Sequence, residues 1–139
     1  MTQRVAPQLT PLSQPYFNAA KEGKLCLQQC LACHQHQFYP RSLCVHCGAE
    51  SLEWVEVSGW GRIASFTVVR RGISPAYPAP YVVALVDLDE GPRMMSQIHT
   101  ADASSLAIGL SVHVAFEAWV DDLVLPVFKP AQECGESLP

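Results

Sequence analysis

No uninterrupted apolar run in the 139 residues approaches the roughly 18 that a membrane-spanning helix needs. Charge is scarce at 16% and tilts the wrong way for a chain that grips phosphate backbones: nine Lys and Arg stand against thirteen Asp and Glu. The first twenty residues interleave Gln3, Arg4, Gln8, Gln14 and Asn18 with prolines. They lack the apolar stretch of a secretory signal, and a cytoplasmic address is expected. Repeats and low-complexity segments are absent. So are a Gly-x-Ser-x-Gly elbow, a P-loop and a two-histidine zinc motif. His99 and Asp102 lie close in sequence but have no nucleophile beside them, so autonomous catalysis is not expected. An apolar fraction of 49% nevertheless excludes an intrinsically disordered chain and supports one compact core with a small appendage.

Cysteine is concentrated: five of the six fall within residues 26–47. Cys30-Leu31-Ala32-Cys33 and Cys44-Val45-His46-Cys47 form two C-x2-C pairs separated by ten residues. Two residues between cysteines let a tight turn aim both thiolates at one point, and two such knuckles complete a tetrahedron of sulfurs. One zinc ion per chain is the expected occupant. A single iron also suits four thiolates, but only the second knuckle has its glycine, Gly48, where the first has His34. Four sulfurs close the coordination sphere, which makes the metal structural, and His34, His36 and His46 are expected to be exposed loop residues. The segment around the knuckles has too few apolar residues to fold alone, so metal binding must supply on the order of 10 kcal/mol of its folding free energy. Cys26 is expected to be a half-buried strand residue and Cys134 a free thiol in a polar tail.

Before the knuckles, Ser13 is placed to cap a helix through Ala20 or Lys21, with Pro15 in its first turn, Gly23 as its stop and Tyr16, Phe17 and Ala20 as its apolar face. A helix this short must dock on this chain or on a partner. After Gly48 the pattern turns to β. Runs rich in Val, Ile, Phe, Trp and Thr fall at 52–57, 62–70, 81–88, 94–99, 111–119 and 123–128. In the fifth run Val112, Val114, Phe116 and Ala118 share one face, and His113, Glu117 and Trp119 the other. Asp87 to Pro92 reads as a hairpin turn, and Ala103 to Ile108 as one helical turn between strands. Such a set suits a small closed barrel of the OB type. The expected class is therefore mainly β: tail and helix over 1–25, zinc ribbon over 26–52, barrel over 53–130 and a flexible tail over 131–139.

As a set, Cys30-x2-Cys33, Phe38-Tyr39-Pro40-Arg41, Cys44-x2-Cys47-Gly48, Trp54-Val55, Ser58-Gly59-Trp60-Gly61, Pro80 to Val86, Glu90-Gly91, Ile108-Gly109 and Val112 resemble the zinc-ribbon plus OB-fold proteins that accompany thiolases. The resemblance spans about residues 15–130 and implies an N-terminal helix, a rubredoxin-like ribbon and an OB barrel. It also implies an acyl-CoA-associated accessory subunit bound to a thiolase-like or other acyl-CoA enzyme; the short apolar runs separately lead to the expectation of no membrane association. The first knuckle departs from the family pattern in lacking its glycine.

Charge distribution indicates where an anionic ligand belongs. Residues 1–71 hold seven Lys and Arg against four acids, whereas residues 72–139 hold two against nine. The loop from Arg70 to Pro80 is stiffened by prolines and sets Ile73 and Tyr77 beside Arg70 and Arg71, with Arg41 on the ribbon as a further cation. Arginines next to an aromatic suit the phosphates and adenine of a coenzyme A thioester, and the loop suits its acyl part or a partner's surface. An ordinary solvated connection is the plain alternative for this loop. For the whole chain the alternative is single-stranded nucleic-acid binding, with Trp54, Trp60, Phe66 and Tyr77 stacking and Arg62, Arg70 and Arg71 on phosphates. The acyl group, the identity of the enzyme and any homo-oligomer stay open.

Overall fold

In the computed structural model, which describes residues 5–133, helix α1 runs Gln14–Lys21, with Pro15 where no N–H is needed and Gly23 (φ +75°) ending it. Ser13 precedes it but does not cap it with its side chain. Its hydroxyl turns back instead, accepting from the Thr10 N–H at 3.0 Å and the Thr10 hydroxyl at 3.1 Å, so the buried Ser13 ties down the turn that leads into the helix. Tyr16, Phe17 and Ala20 are buried, and the helix docks on this chain, against β1 and β8 below. Lys21 adds an exposed ion pair to Asp122 at 3.1 Å.

Three strands make the ribbon: β1 (Cys26–Cys30), β2 (His36–Gln37) and β3 (Leu52–Glu56), in the order β2-β1-β3 and antiparallel. Leu52–Glu56, the first of the six β-runs in the sequence, thus pairs with β1 rather than with the barrel. The other five close the barrel: β4 (Trp60–Val69), β5 (Tyr81–Leu88), β6 (Arg93–Ile98), β7 (Ser111–Ala118) and β8 (Val124–Pro130), ordered β4-β5-β6-β8-β7 with β7 returning to β4. This order, with a turn of 3-10 helix at Ala103–Ser105 between the third and fourth barrel strands, is the OB-fold. The turn expected over 103–108 is confined to those three residues, started by the Asp102 carboxylate accepting from the Ser104 N–H at 3.0 Å.

One core joins all of this. Tyr16 and Phe17 from the helix and Leu25 and Leu27 from the ribbon pack in the same cluster as Ile63, Val86, Val112 and Phe128 from the barrel. The hairpin turn after Leu88 is also tied to the ribbon–barrel link, since the Glu90 carboxylate accepts from the Ser58 N–H at 2.8 Å. Cys134, expected as a free thiol, and most of the 131–139 tail lie outside the described residues. Among the described residues no helix is long and apolar enough to cross a membrane.

Barrel closure requires glycine at one position. Gly61 is paired to Leu88 on one side and Val112 on the other, and a Cβ there would lie 2.7 Å from the Asp87 carbonyl oxygen. Backbone cannot move aside as a flexible side chain can. Gly61→Ala is therefore expected to destabilise the chain by about 1–3 kcal/mol, read as a lowered midpoint of chemical denaturation with the metal retained; an unchanged midpoint would contradict this account of closure.

Candidate functional site

The Cys30–Cys33 knuckle is the hairpin tip between β1 and β2, and the Cys44–Cys47 knuckle lies in the connection that carries the chain from β2 to β3 on the far side of β1. The sulfurs of Cys30, Cys33, Cys44 and Cys47 lie within 4.8 Å of one another, and among the described residues this is the one cluster of His, Cys, Asp or Glu able to hold a metal ion. The Cys30 and Cys47 sulfurs are 3.6 Å apart, as are those of Cys33 and Cys44. A disulfide needs about 2.05 Å. A zinc–sulfur bond of about 2.3 Å gives a regular tetrahedron edges of about 3.8 Å, so the four sulfurs fit one zinc ion and leave no open position.

Backbone N–H groups prepare these sulfurs to carry negative charge. Ala32 and Cys33 donate to the Cys30 sulfur at 3.3 and 3.4 Å, and His46 donates to Cys44 at 3.3 Å. The Cys33 N–H, opposed by burial and helped by the Ala32 N–H, draws the Cys30 thiol down to about 6. Cys47 moves the other way: the Ala49 N–H lowers it, but the facing Cys30 sulfur and burial hold it up at about 12. Four clustered sulfurs cannot all ionise without a cation, and a bound zinc supplies the charge that lets them.

The two knuckles follow one backbone plan. The His34 N–H reaches the Cys30 carbonyl at 2.8 Å and the Gly48 N–H reaches Cys44 at 2.9 Å, with φ at +65° and +80° respectively. His34 thus fills the glycine position with left-handed backbone, although its side chain serves no ligand role. His34 and His46 are exposed as expected, whereas His36 is half-buried in β2, its carbonyl 3.1 Å from the His46 Nε2. Cys26 is half-buried in β1, and burial raises its thiol pKa.

Two residues that the sequence pattern does not single out hold the second knuckle in place. Gln28 and Gln37 are buried side by side, with the Gln37 Nε2 donating to the Gln28 Oε1 at 2.8 Å. Gln28 also accepts from the Arg41 N–H at 2.8 Å and donates to the Arg41 carbonyl at 2.9 Å, while Gln37 accepts from the Val45 N–H at 2.9 Å. These amides satisfy the irregular backbone between the knuckles, which has no strand partner. A glutamine beside Leu27 in a short β-run was the available signal.

The ligand-facing residues divide. Arg41 is exposed on the ribbon, and Arg70, Arg71 and Ile73 are exposed on the β4–β5 loop, Ile73 by 79%. Tyr77 is not an exposed tip. It is half-buried and stacked on Trp119, with ring centroids 5.9 Å apart. Trp119, which strand alternation puts on the exposed face, packs against the core because β7 ends at Ala118 and the chain turns there. Together they wall an apolar groove of about 480 Å³ where helix, ribbon and barrel meet, completed by Tyr16, Phe17, Phe38 and Tyr39 and floored by β6 and β8. A second cavity of about 460 Å³, lined by Arg70, Tyr81, His99 and Thr100, adjoins it, and Gln97 lines both. Arg71, Ile73 and Arg41 line neither. Of the stacking candidates, Trp54 and Phe66 pack against the core, and Trp60 lies on His113 at 4.3 Å.

Comparison with known proteins follows the same two-part division. Residues 17–53 match the family model described as the ChsH2 rubredoxin-like zinc ribbon domain, and residues 54–117 the model of the ChsH2 C-terminal OB-fold domain. A probable enoyl-CoA hydratase alpha subunit from Thermomonospora curvata is 37% identical over 88% of this chain, which spans 38% of that relative's length. A DUF35 domain-containing scaffold protein from Methanothermobacter thermautotrophicus is 40% identical over 63% of this chain and 68% of its own. The benzoylsuccinyl-CoA thiolase subunit BbsA of Geobacter metallireducens is 29% identical over 70% of this chain and 67% of its own length. Among solved structures, a chain of the Ltp2-ChsH2(DUF35) aldolase superposes with a TM-score of 0.83 at 35% identity, covering 91% of this chain and 99% of that one.

Protein purified without added zinc is expected to contain one zinc ion per chain by metal analysis; Cys30→Ser with Cys44→Ser should abolish it, and Cys26→Ser should not. His34→Gly removes a left-handed non-glycine residue and is expected to raise the stability of the zinc-loaded protein by about 1 kcal/mol in chemical denaturation, with His34→Ala giving no such gain.

Proposed function

The chain belongs to the ChsH2-type family, a rubredoxin-like zinc ribbon followed by an OB-fold, and on that footing we propose that it is a non-catalytic accessory subunit that binds a thiolase-like acyl-CoA enzyme and helps hold its thioester substrate. The observation that carries this reading is the match to 99% of a chain in the Ltp2-ChsH2(DUF35) aldolase: a chain of this extent stands there in an assembly with a second named component. The relatives named as scaffold proteins and as a thiolase subunit support it. The hydratase name belongs to a protein of which this chain spans 38%, so that activity does not carry over with the shared part. A closed thiolate site offers no coordination position to a substrate, which also favours a non-catalytic role.

The two adjoining cavities support the thioester part of the reading. Arg70 brings a cation to one, and Tyr77 and Trp119 bring apolar walls to the other. A coenzyme A ester has the matching order of an anionic head, a linear arm and an apolar acyl end. The aromatic side chains that a nucleic-acid strand would stack on are instead engaged with the core, His113 or Trp119, which favours the accessory reading over the nucleic-acid one.

Co-expression with a thiolase-like protein is expected to give a complex that co-purifies and binds coenzyme A esters by calorimetry. Arg70→Ala with Arg71→Ala should raise the Kd for an acyl-CoA about tenfold while leaving a phosphate-free thioester nearly unaffected, because the lost contacts are charge-assisted ones to phosphate. Failure to co-purify together with no thioester binding by the chain or the mixture would overturn the reading, as would turnover by this chain alone.

A further inference from the structure

The groove between helix, ribbon and barrel is bordered by a piece of chain that belongs to none of them. Residues 5–10 form no helix or strand, yet Val5 and Pro7 line the groove and Leu9 packs on the core cluster. At one end the segment is fixed to the start of α1, where the Thr10 carbonyl accepts from the Ser13 N–H at 3.1 Å and from the Gln14 N–H at 2.9 Å. At the other end the Trp119 indole N–H donates to the Val5 carbonyl at 2.8 Å. The segment therefore runs from the helix side of the groove, where Tyr16 and Phe17 stand, to the side walled by Trp119 and Tyr77.

Its two attachments are unequal. Leu9 and the turn behind it are held by packing and by hydrogen bonds that include the buried Ser13 hydroxyl. The Val5 end rests on the indole bond, while its side chain is 67% exposed. A segment with so little burial opens locally while the rest of the fold stands. Proline decides where it bends. Pro7 has a fixed φ and holds Ala6 extended, and Pro11 does the same for Thr10, so rotation is left chiefly to the exposed Gln8. Val5 to Pro7 thus moves as one stiff piece about Gln8, with Leu9 as its fixed root.

We propose that residues 5–8 are a strap that opens to admit the acyl end of a thioester to the groove and closes over it, with the Trp119 indole and the Val5 carbonyl as its clasp. This rests on the reading that the groove receives the acyl end, and goes beyond it by assigning control of entry and exit to a segment outside both ribbon and barrel. Closed over an occupant, Val5 and Pro7 cover apolar surface that otherwise faces water. The clasp sits on the wall itself, because the ring that holds Val5 is the ring stacked on Tyr77. Coenzyme A without an acyl group gives the strap nothing to close on, so the strap discriminates by what the thioester carries and not by its anionic head.

The test uses the full zinc-loaded chain, alone and with its enzyme partner, with hexanoyl-CoA and coenzyme A as probes in calorimetry and stopped-flow dissociation. Trp119→Phe keeps an aromatic ring for Tyr77 and removes the N–H. It is expected to speed hexanoyl-CoA dissociation about tenfold, with no comparable change for coenzyme A. A variant lacking residues 1–8 keeps Leu9 and the turn from Thr10 to Ser13, and should do the same. Adding Trp119→Phe to it should change nothing further, since both remove one contact. Effects of the two changes that simply add would make Trp119 a plain wall residue and overturn the strap. Unchanged hexanoyl-CoA dissociation in the shortened variant, or equal acceleration of coenzyme A, would overturn it as well, and that variant decides the matter even if Trp119→Phe fails to fold. In those cases hexanoyl-CoA still binds more tightly than coenzyme A, and the reading of the groove stands. Equal affinity for the two probes, or no thioester binding by chain or complex, overturns that reading and the strap together.

Discussion

Everything in this molecule depends on the sharing of one hydrophobic core among three parts that cannot complete it separately. The ribbon contributes Leu25 and Leu27, the helix Tyr16 and Phe17, and the barrel the remainder. The helix is only eight residues long and gains its stability from that docking. Without it, the parts of β1 and β8 that it packs against would lose their cover. The groove is a product of the same constraint: three curved surfaces meet at α1 and leave space between them, walled by side chains from all three.

The metal and the buried amides divide the work of ordering the ribbon. Four sulfurs fix the two knuckle tips relative to each other, but the backbone from Phe38 to Leu43 between them has no sheet of its own. Gln28 and Gln37 act there as a small internal sheet, each side-chain amide standing in for a strand's donor and acceptor. Because these bonds are shielded from water, losing either glutamine would strand the polar groups of the other and of the loop.

Local features were the most legible from sequence. The knuckles are short-range spacings, the helix is bounded by Pro15 and Gly23, and the barrel strands show as β-branched runs between glycines and prolines. What the sequence did not reveal depends on distant partners. β1 and β2 read as polar because Cys-Leu-Gln-Gln-Cys and His-Gln owe their strand pairing to β3 and to the buried amides. Ser13 looked like a cap, yet Thr10 competes for its hydroxyl. Tyr77 looked like an exposed loop tip because Trp119, more than forty residues on, is invisible to any local pattern. The metal site was thus legible almost to the atom, while the groove, assembled from segments far apart in sequence, was not.

The near repetition of the two knuckles hides a difference between them. Both wrap two sulfurs with the same turn, but one closes on Gly48 at ease and the other on His34 held in left-handed backbone. Each is braced by a glutamine, the Gln37 Oε1 accepting from the Val45 N–H in the second and the Gln29 Nε2 donating to the His34 carbonyl in the first. The two arms also differ in access: Cys30 and Cys44 are buried and Cys33 is half-buried, whereas Cys47 is exposed. Backbone strain and solvent access are thereby placed in opposite halves of one site, the strain at His34 and the access at Cys47.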